Sequence, residues 1–122
     1  MAVTRNNSEQ VVAIYKCLCD VSRLRILNLL RLEPQCVCHI EKVLGIGPVR
    51  TSQQLAYLRR HAMVEVEIRG TWRMYALPAK PCRELAANLA CLQDCIFEGN
   101  IFREDLARLK KITQSQCGPK SI

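Results

Sequence analysis

Residues 44–77 read LGIGPVRTSQQLAYLRRHAMVEVEIRGTWRMYAL, and two changes of rhythm inside this stretch decide the fold. Gly45 suits the end of a helix closing at Leu44, and Gly47-Pro48 starts another, because proline is favoured at a first helical position. From Pro48 to about Arg60, Leu55 and Leu58 recur on one helical face. The period then switches: Val64, Val66 and Ile68 alternate with Glu65 and Glu67, which is the pattern of a strand. Arg69-Gly70-Thr71 reads as a turn and Trp72 to Leu77 as the returning strand, so the segment ends in a β-hairpin closed by Pro78 and Pro81.

Working outward, a short helix fits about Val37 to Leu44. Before it, Asp20 is a good N-cap for a helix with Leu24, Leu27, Leu29 and Leu30 on an apolar side and Arg23, Arg25 and Arg31 on a basic one. Glu33-Pro34 ends that helix. Val11, Val12, Ile14 and Leu18 mark a first helix at about 9–18. After the hairpin, a long helix is expected over about 81–97, with Gly99-Asn100 as a break or kink and helix resuming over 101–112, so that the helical span is about 81–112. Two short helices joined by a tight glycine-containing turn and followed by a hairpin make a winged helix-turn-helix. The expected fold is mainly α with one β-hairpin, in a single domain over 1–122, with recognition helix 48–60 and wing 64–77.

A net charge of +7 on 122 residues and a pI near 9.2 suit a polyanionic partner such as nucleic acid. Met1 to Gln10 is polar with no secretory pattern, and no apolar run nears the roughly 20 residues of a membrane span. The expectation is a soluble, cytoplasmic protein away from the membrane. Eight cysteines are then unusual, since in a reducing compartment they more often bind metal or sense redox state than form structural disulfides. No Ser-His-Asp pattern and no glycine-rich phosphate loop occurs, and with only two histidines the sequence does not read as an enzyme.

Several ordered motifs add a family resemblance. Asp20-Val-Ser-Arg-Leu-Arg-Ile-Leu27, Cys36-Val-Cys38, the Leu55-Ala-Tyr-Leu-Arg-Arg60 helix end and Arg69-Gly-Thr-Trp-Arg-Met-Tyr75 together resemble the ArsR/SmtB repressors, over roughly Asp20 to Leu77. The resemblance implies a homodimeric winged helix-turn-helix repressor, joined through its first and last helices, that leaves double-stranded operator DNA when an inducer binds. The sequence departs from the family at Pro48 and Arg50, where a glutamine and a threonine often stand, so a different base preference is expected.

A recognition helix reads base edges from its N-terminal half. Arg50, Thr51, Ser52, Gln53 and Gln54 occupy that half, with Arg50, Gln53 and Gln54 on one face and Tyr57 near it. Arginine pairs bidentately with guanine and glutamine with adenine. Arg59, Arg69 and Arg73 suit phosphate or minor-groove contact. Trp72 is placed equally well at the wing tip or packed beneath it. A two-fold dimer would match an inverted-repeat operator, with Leu85, Leu89, Leu92 and Ile96 as a seam.

Thiolates select soft ions. Cys91 and Cys95, at i and i+4 of the long helix, would place Cβ atoms roughly 5–6 Å apart beside that seam. The pair also resembles the C-x-x-x-C of some arsenite-responsive members, which implies trivalent arsenic (arsenite or antimonite) as the inducer, with Cys82, Cys117 or a partner-chain cysteine as third ligand. Cys36 and Cys38 are the second candidate pair; in the family such a segment serves arsenite in some members and cadmium or lead in others. Glu41 stands where some arsenite sites have a third cysteine, His39 is either a ligand or a polar surface residue, and Cys17 and Cys19 are either helpers or core residues. A cadmium, lead or zinc response, or thiol redox or sulfide sensing on the same fold, remain alternatives.

Overall fold

The computed structural model describes residues 7–93 and 100–113. In chain order these form α1 (Asn7–Leu18), α2 (Val21–Leu30), β1 (Gln35–Cys36), α3 (Val37–Leu44), α4 (Pro48–Arg60), β2 (Glu65–Arg69), β3 (Trp72–Ala76), α5 (Arg83–Gln93) and α6 (Ile101–Thr113). The expected winged helix-turn-helix is present: α3 and α4 are the two short helices and β2–β3 the wing.

The local signals act as anticipated. Asp20 caps α2 by accepting a 3.1 Å bond from the backbone N–H of Arg23. Gly45 closes α3 in the left-handed region at φ 65°, and Gly47 precedes Pro48 at φ 95°, a conformation L side chains rarely adopt. The helix pair therefore turns tightly with no strain on a side chain. At the other end of α4, Ala62 holds φ 59° while the N–H of Met63 bonds the carbonyl of Leu58 and that of Ala62 bonds Arg59. This is the glycine-type helix ending, here built on alanine.

The core lies where α2, α3 and α4 meet. Ile26, Leu27, Leu29, Ile40, Val43, Leu55 and Leu58 are buried there, with Leu85 from α5 and Leu109 from α6. The α4 residues Leu55 and Leu58 anchor the recognition helix, so its opposite face is held outward.

Four features depart from the sequence reading. First, Gln35–Cys36 is a third strand, pairing with β3 antiparallel (Gln35↔Tyr75, Cys36↔Met74), so the sheet order is β1-β3-β2. A strand of two residues leaves no periodicity to detect. Second, Arg25 is not on a solvated basic face: it is 8% exposed and forms a two-point ion pair with Asp105, at 2.8 and 2.9 Å. The bond to Asp105 raises the pKa of the guanidinium. Third, the helix expected to resume at Ile101 after the Gly99-Asn100 break does start there, with Asn100 accepting a 3.0 Å bond from the N–H of Arg103, but it packs into its own domain. α6 packs on α2 and α3 of its own domain. Asp105 and Arg108 tie it to α2 and to the carbonyl of Val43. It is therefore part of the core of its own domain. Fourth, Leu85 at the head of the expected seam is buried within the domain, while Leu89 and Leu92 are half-buried; Ile96 lies outside the described residues.

Candidate nucleic-acid interface

The recognition helix presents a sorted surface. Thr51, Leu55 and Leu58 face inward, Gln54 and Tyr57 are half-buried, and Val49, Arg50, Ser52, Gln53, Ala56, Arg59 and Arg60 are exposed. Of the expected base-reading residues, Arg50, Ser52 and Gln53 therefore stand in solvent near the helix start. Thr51 does not: it is fully buried and its hydroxyl donates a 2.8 Å bond to the carbonyl of Gly47. It fixes the helix-turn-helix joint and is withdrawn from any groove. Val49, 67% exposed beside Arg50, was not singled out in the sequence, because an isolated valine in a helix pattern reads as core.

The wing supplies the other side of the interface. The register Ile68↔Arg73 and Arg69↔Trp72 separates two faces of the hairpin. Arg73 and Tyr75 look toward α4 and, with Ser52, Ala56, Arg59 and Arg60, line a cleft of about 520 Å³. Arg73 donates to the Tyr75 hydroxyl at 3.2 Å and lies 5.8 Å from its ring centroid. Three arginines thus line the gap between recognition helix and wing, with the Arg60 guanidinium also 5.9 Å from the Tyr57 ring centroid; a sugar-phosphate strand passes here when the helix enters one groove and the wing the next. Arg60 was missed in the sequence reading; only the helix phase relative to the wing reveals it. Arg69 lies on the opposite face, in a two-point ion pair with Glu67 at 3.2 and 3.3 Å. Its charge is offset, so it is a weaker candidate for phosphate contact than the sequence suggested. Trp72 is 37% exposed at the edge of the wing, so it is not packed beneath the hairpin.

The half-buried side of α4 is bound to the rest of the domain by Arg23. Its Nη1 donates to Gln54 Oε1 at 2.9 Å, and its plane lies 4.2 Å from the Tyr57 ring centroid. Its remaining nitrogens cap α1, with Nε bonding the carbonyl of Cys17 at 3.0 Å and Nη2 that of Lys16 at 2.7 Å. The Cys19 thiol donates to the same Lys16 carbonyl at 3.3 Å.

The cysteines divide by environment. Cys17 is fully buried, and burial pushes its thiol up while nearby Arg23 opposes this. Cys19, Cys82 and Cys91 are exposed free thiols. Cys36 is a buried free thiol in β1, and Cys38 is disulfide-bonded to none of the other described cysteines, which are all free. With one member buried in the strand beside β3 and the other in a disulfide, Cys36 and Cys38 do not form an ion-ready thiolate pair in this state. Cys91 stands exposed on α5; Cys95 and Cys117 lie outside the described residues. His39 is buried, against the expectation of a surface residue, and its Nε2 meets no hydrogen-bond partner. Among the described residues, no three His, Cys, Asp or Glu side chains are grouped to hold a metal ion, and no helix is long and apolar enough to cross a membrane.

Residues 20–66 match the family described as bacterial regulatory protein, arsR family. Solved structures of regulators share the fold. HlyU from Vibrio cholerae is 27% identical with a TM-score of 0.65, covering 74% of this chain and 95% of that one. The transcriptional repressor BigR from Xylella fastidiosa is 27% identical with a TM-score of 0.62, covering 78% and 100%. Mb0332 from Mycobacterium bovis, described as a homodimeric winged helix-turn-helix DNA-binding domain, is 27% identical with a TM-score of 0.61, covering 76% and 87%. No curated protein matches the chain in sequence. The matched family and these relatives are regulators and not enzymes. With its buried Leu55–Leu58 anchor, its outward α4 face and its wing, the chain has a winged helix-turn-helix whose segment from Asp20 to Val66 is similar to that of the arsR family.

Proposed function

We propose that the protein is a homodimeric transcriptional repressor that binds an inverted-repeat operator in double-stranded DNA and is released by a thiophilic inducer, with trivalent arsenic (arsenite or antimonite) at Cys91 and Cys95 the leading case. The observation that carries the DNA reading is the α4 face bearing Arg50, Ser52 and Gln53 beside the Arg59, Arg60 and Arg73 cleft. Arg50 and Gln53 suit base edges in the major groove. The cleft suits the backbone strand, where contacts set affinity and register but carry no sequence information directly.

Dimerisation is supported by α1, which leaves Val11, Val12 and Tyr15 exposed, and by the homodimeric state of Mb0332. α1 and α5 are the elements proposed to meet the partner. An exposed Cys91 thiol on α5 supports an inducer site beside that interface. A soft ion held there would favour the dimer arrangement with lower operator affinity, and affinity would fall by the coupling free energy. Arsenite, antimonite, cadmium, lead and zinc are to be added to a duplex complex of the wild type and of Cys91→Ser and Cys95→Ser. Release by arsenite or antimonite in the wild type alone supports the reading; equal release in all three proteins contradicts this site.

A second reading rests on a specific observation, the disulfide at Cys38. In it, oxidation of Cys38 shifts the DNA-binding state, and Cys38→Ser makes operator binding insensitive to mild peroxide.

A further inference from the structure

Arg23 does more than cap α1. Guanidinium groups only donate, so the end of the Gln54 amide that meets Nη1 at 2.9 Å is its oxygen. The amide orientation is therefore fixed by chemistry. Tyr57, one helical turn along, is covered by the same guanidinium plane at 4.2 Å, which holds Arg23 against this side of α4. The other two nitrogens are fastened to the carbonyls of Lys16 and Cys17, so the guanidinium cannot follow Gln54 if the amide rotates away.

A glutamine reads adenine by accepting from N6 and donating to N7 with one amide edge. In this structure Oε1 is turned inward to α2, and that two-atom edge is not offered to a groove. We infer that Arg23 is a positioning residue that sets base specificity: it makes Gln54 present only its Nε2–H donors, so that Gln54 selects guanine, whose N7 and O6 both accept, over adenine, whose N7 acceptor stands beside the N6 donor. This rests on the DNA-binding reading above and deepens it. Gln53, exposed and one position earlier, carries no such constraint and keeps the two-point adenine edge.

The test uses the full-length protein and a duplex selected by the wild type from a randomised pool. Each half-site position is then varied through all four bases, and affinities are ranked by fluorescence anisotropy. The position read by Gln54 is the one whose discrimination Gln54→Ala flattens. There, the wild type is expected to prefer guanine over adenine by roughly tenfold. Arg23→Lys keeps the charge but cannot span three acceptors, so the freed amide is expected to accept adenine and the ranking to narrow or invert. Gln54→Glu keeps an acceptor for Arg23 while removing the donors, and is expected to lose the preference with the fold intact. A loss of fold support alone would weaken all four bases equally; that result for Arg23→Lys, or a wild-type preference for adenine at this position, overturns the inference. If the wild type binds no duplex above random sequence, the DNA-binding reading itself fails and the inference with it.

Discussion

Arg50 and Gln53 reach solvent because Thr51, Leu55 and Leu58, at one-turn spacings, turn the other side of α4 into the core. Replacing either with alanine is expected to cost about 1–3 kcal/mol against the preferred base and little against others, read by competition between duplexes differing at one position. Thr51→Ala is expected to behave oppositely. It removes a buried bond to Gly47, so the melting temperature should fall, by about 1 kcal/mol of stability, with the base ranking unchanged. The helical spacing in the sequence placed Arg50, Ser52 and Gln53 correctly. It could not place Thr51, because a polar residue whose hydroxyl bonds back into its own turn resembles a solvated one until the packing is seen. Arg25 was misread for a related reason: its partner, Asp105, lies 80 residues away. Cys17, fully buried with its thiol pushed up by desolvation, should resist alkylation while Cys19, Cys82 and Cys91 react. The unfolded chain ionises this thiol first as pH climbs past its ordinary value, so Cys17 makes the fold lose stability at alkaline pH.

At the scale of elements, the wing and the last helix carry the differences from expectation. Arg73→Ala and Arg60→Ala should each weaken binding to every duplex and lower the slope of log affinity against log salt by about one. Arg69→Ala should change that slope less, because Glu67 already offsets its charge on the far face. The hairpin was legible from alternation, yet which face meets α4 was not, since alternation fixes two faces without saying which one is covered. The α4 ending predicts a stabilising change: Ala62→Gly relieves a left-handed alanine and should raise stability by about 0.5–1 kcal/mol in chemical denaturation. α6 belongs to the core through Asp105, and Asp105→Asn leaves Arg25 buried with a weakened partner. A loss of about 3 kcal/mol or more is expected. The spacing of Leu85, Leu89, Leu92 and Ile96 suggests one seam, because periodicity does not show that Leu85 turns into its own domain.

For the whole molecule, one domain of this kind spans a short half-site, and a two-fold dimer would double the contact and match an inverted repeat. Sedimentation should give a dimer at micromolar concentration, and charged replacements at Val12 and Tyr15, exposed on α1, should shift it toward monomer. The DNA-binding architecture was legible because it depends on local signals: Asp20, Gly45, Pro48 and the alternation from Val64. The proposed trigger is less legible, because it depends on which thiols meet across long separations, and spacing alone gives no signal of the disulfide at Cys38. The most direct measurement of the central claim is fluorescence anisotropy of the wild type and an Arg50→Ala/Gln53→Ala variant on a selected duplex and on random DNA at one salt concentration. The account predicts that the wild type binds the selected duplex at least about a thousandfold more tightly than random DNA, and that the variant loses most of this ratio while keeping its affinity for random DNA. Equal affinity of the wild type for both duplexes, or an unchanged ratio in the variant, would contradict it.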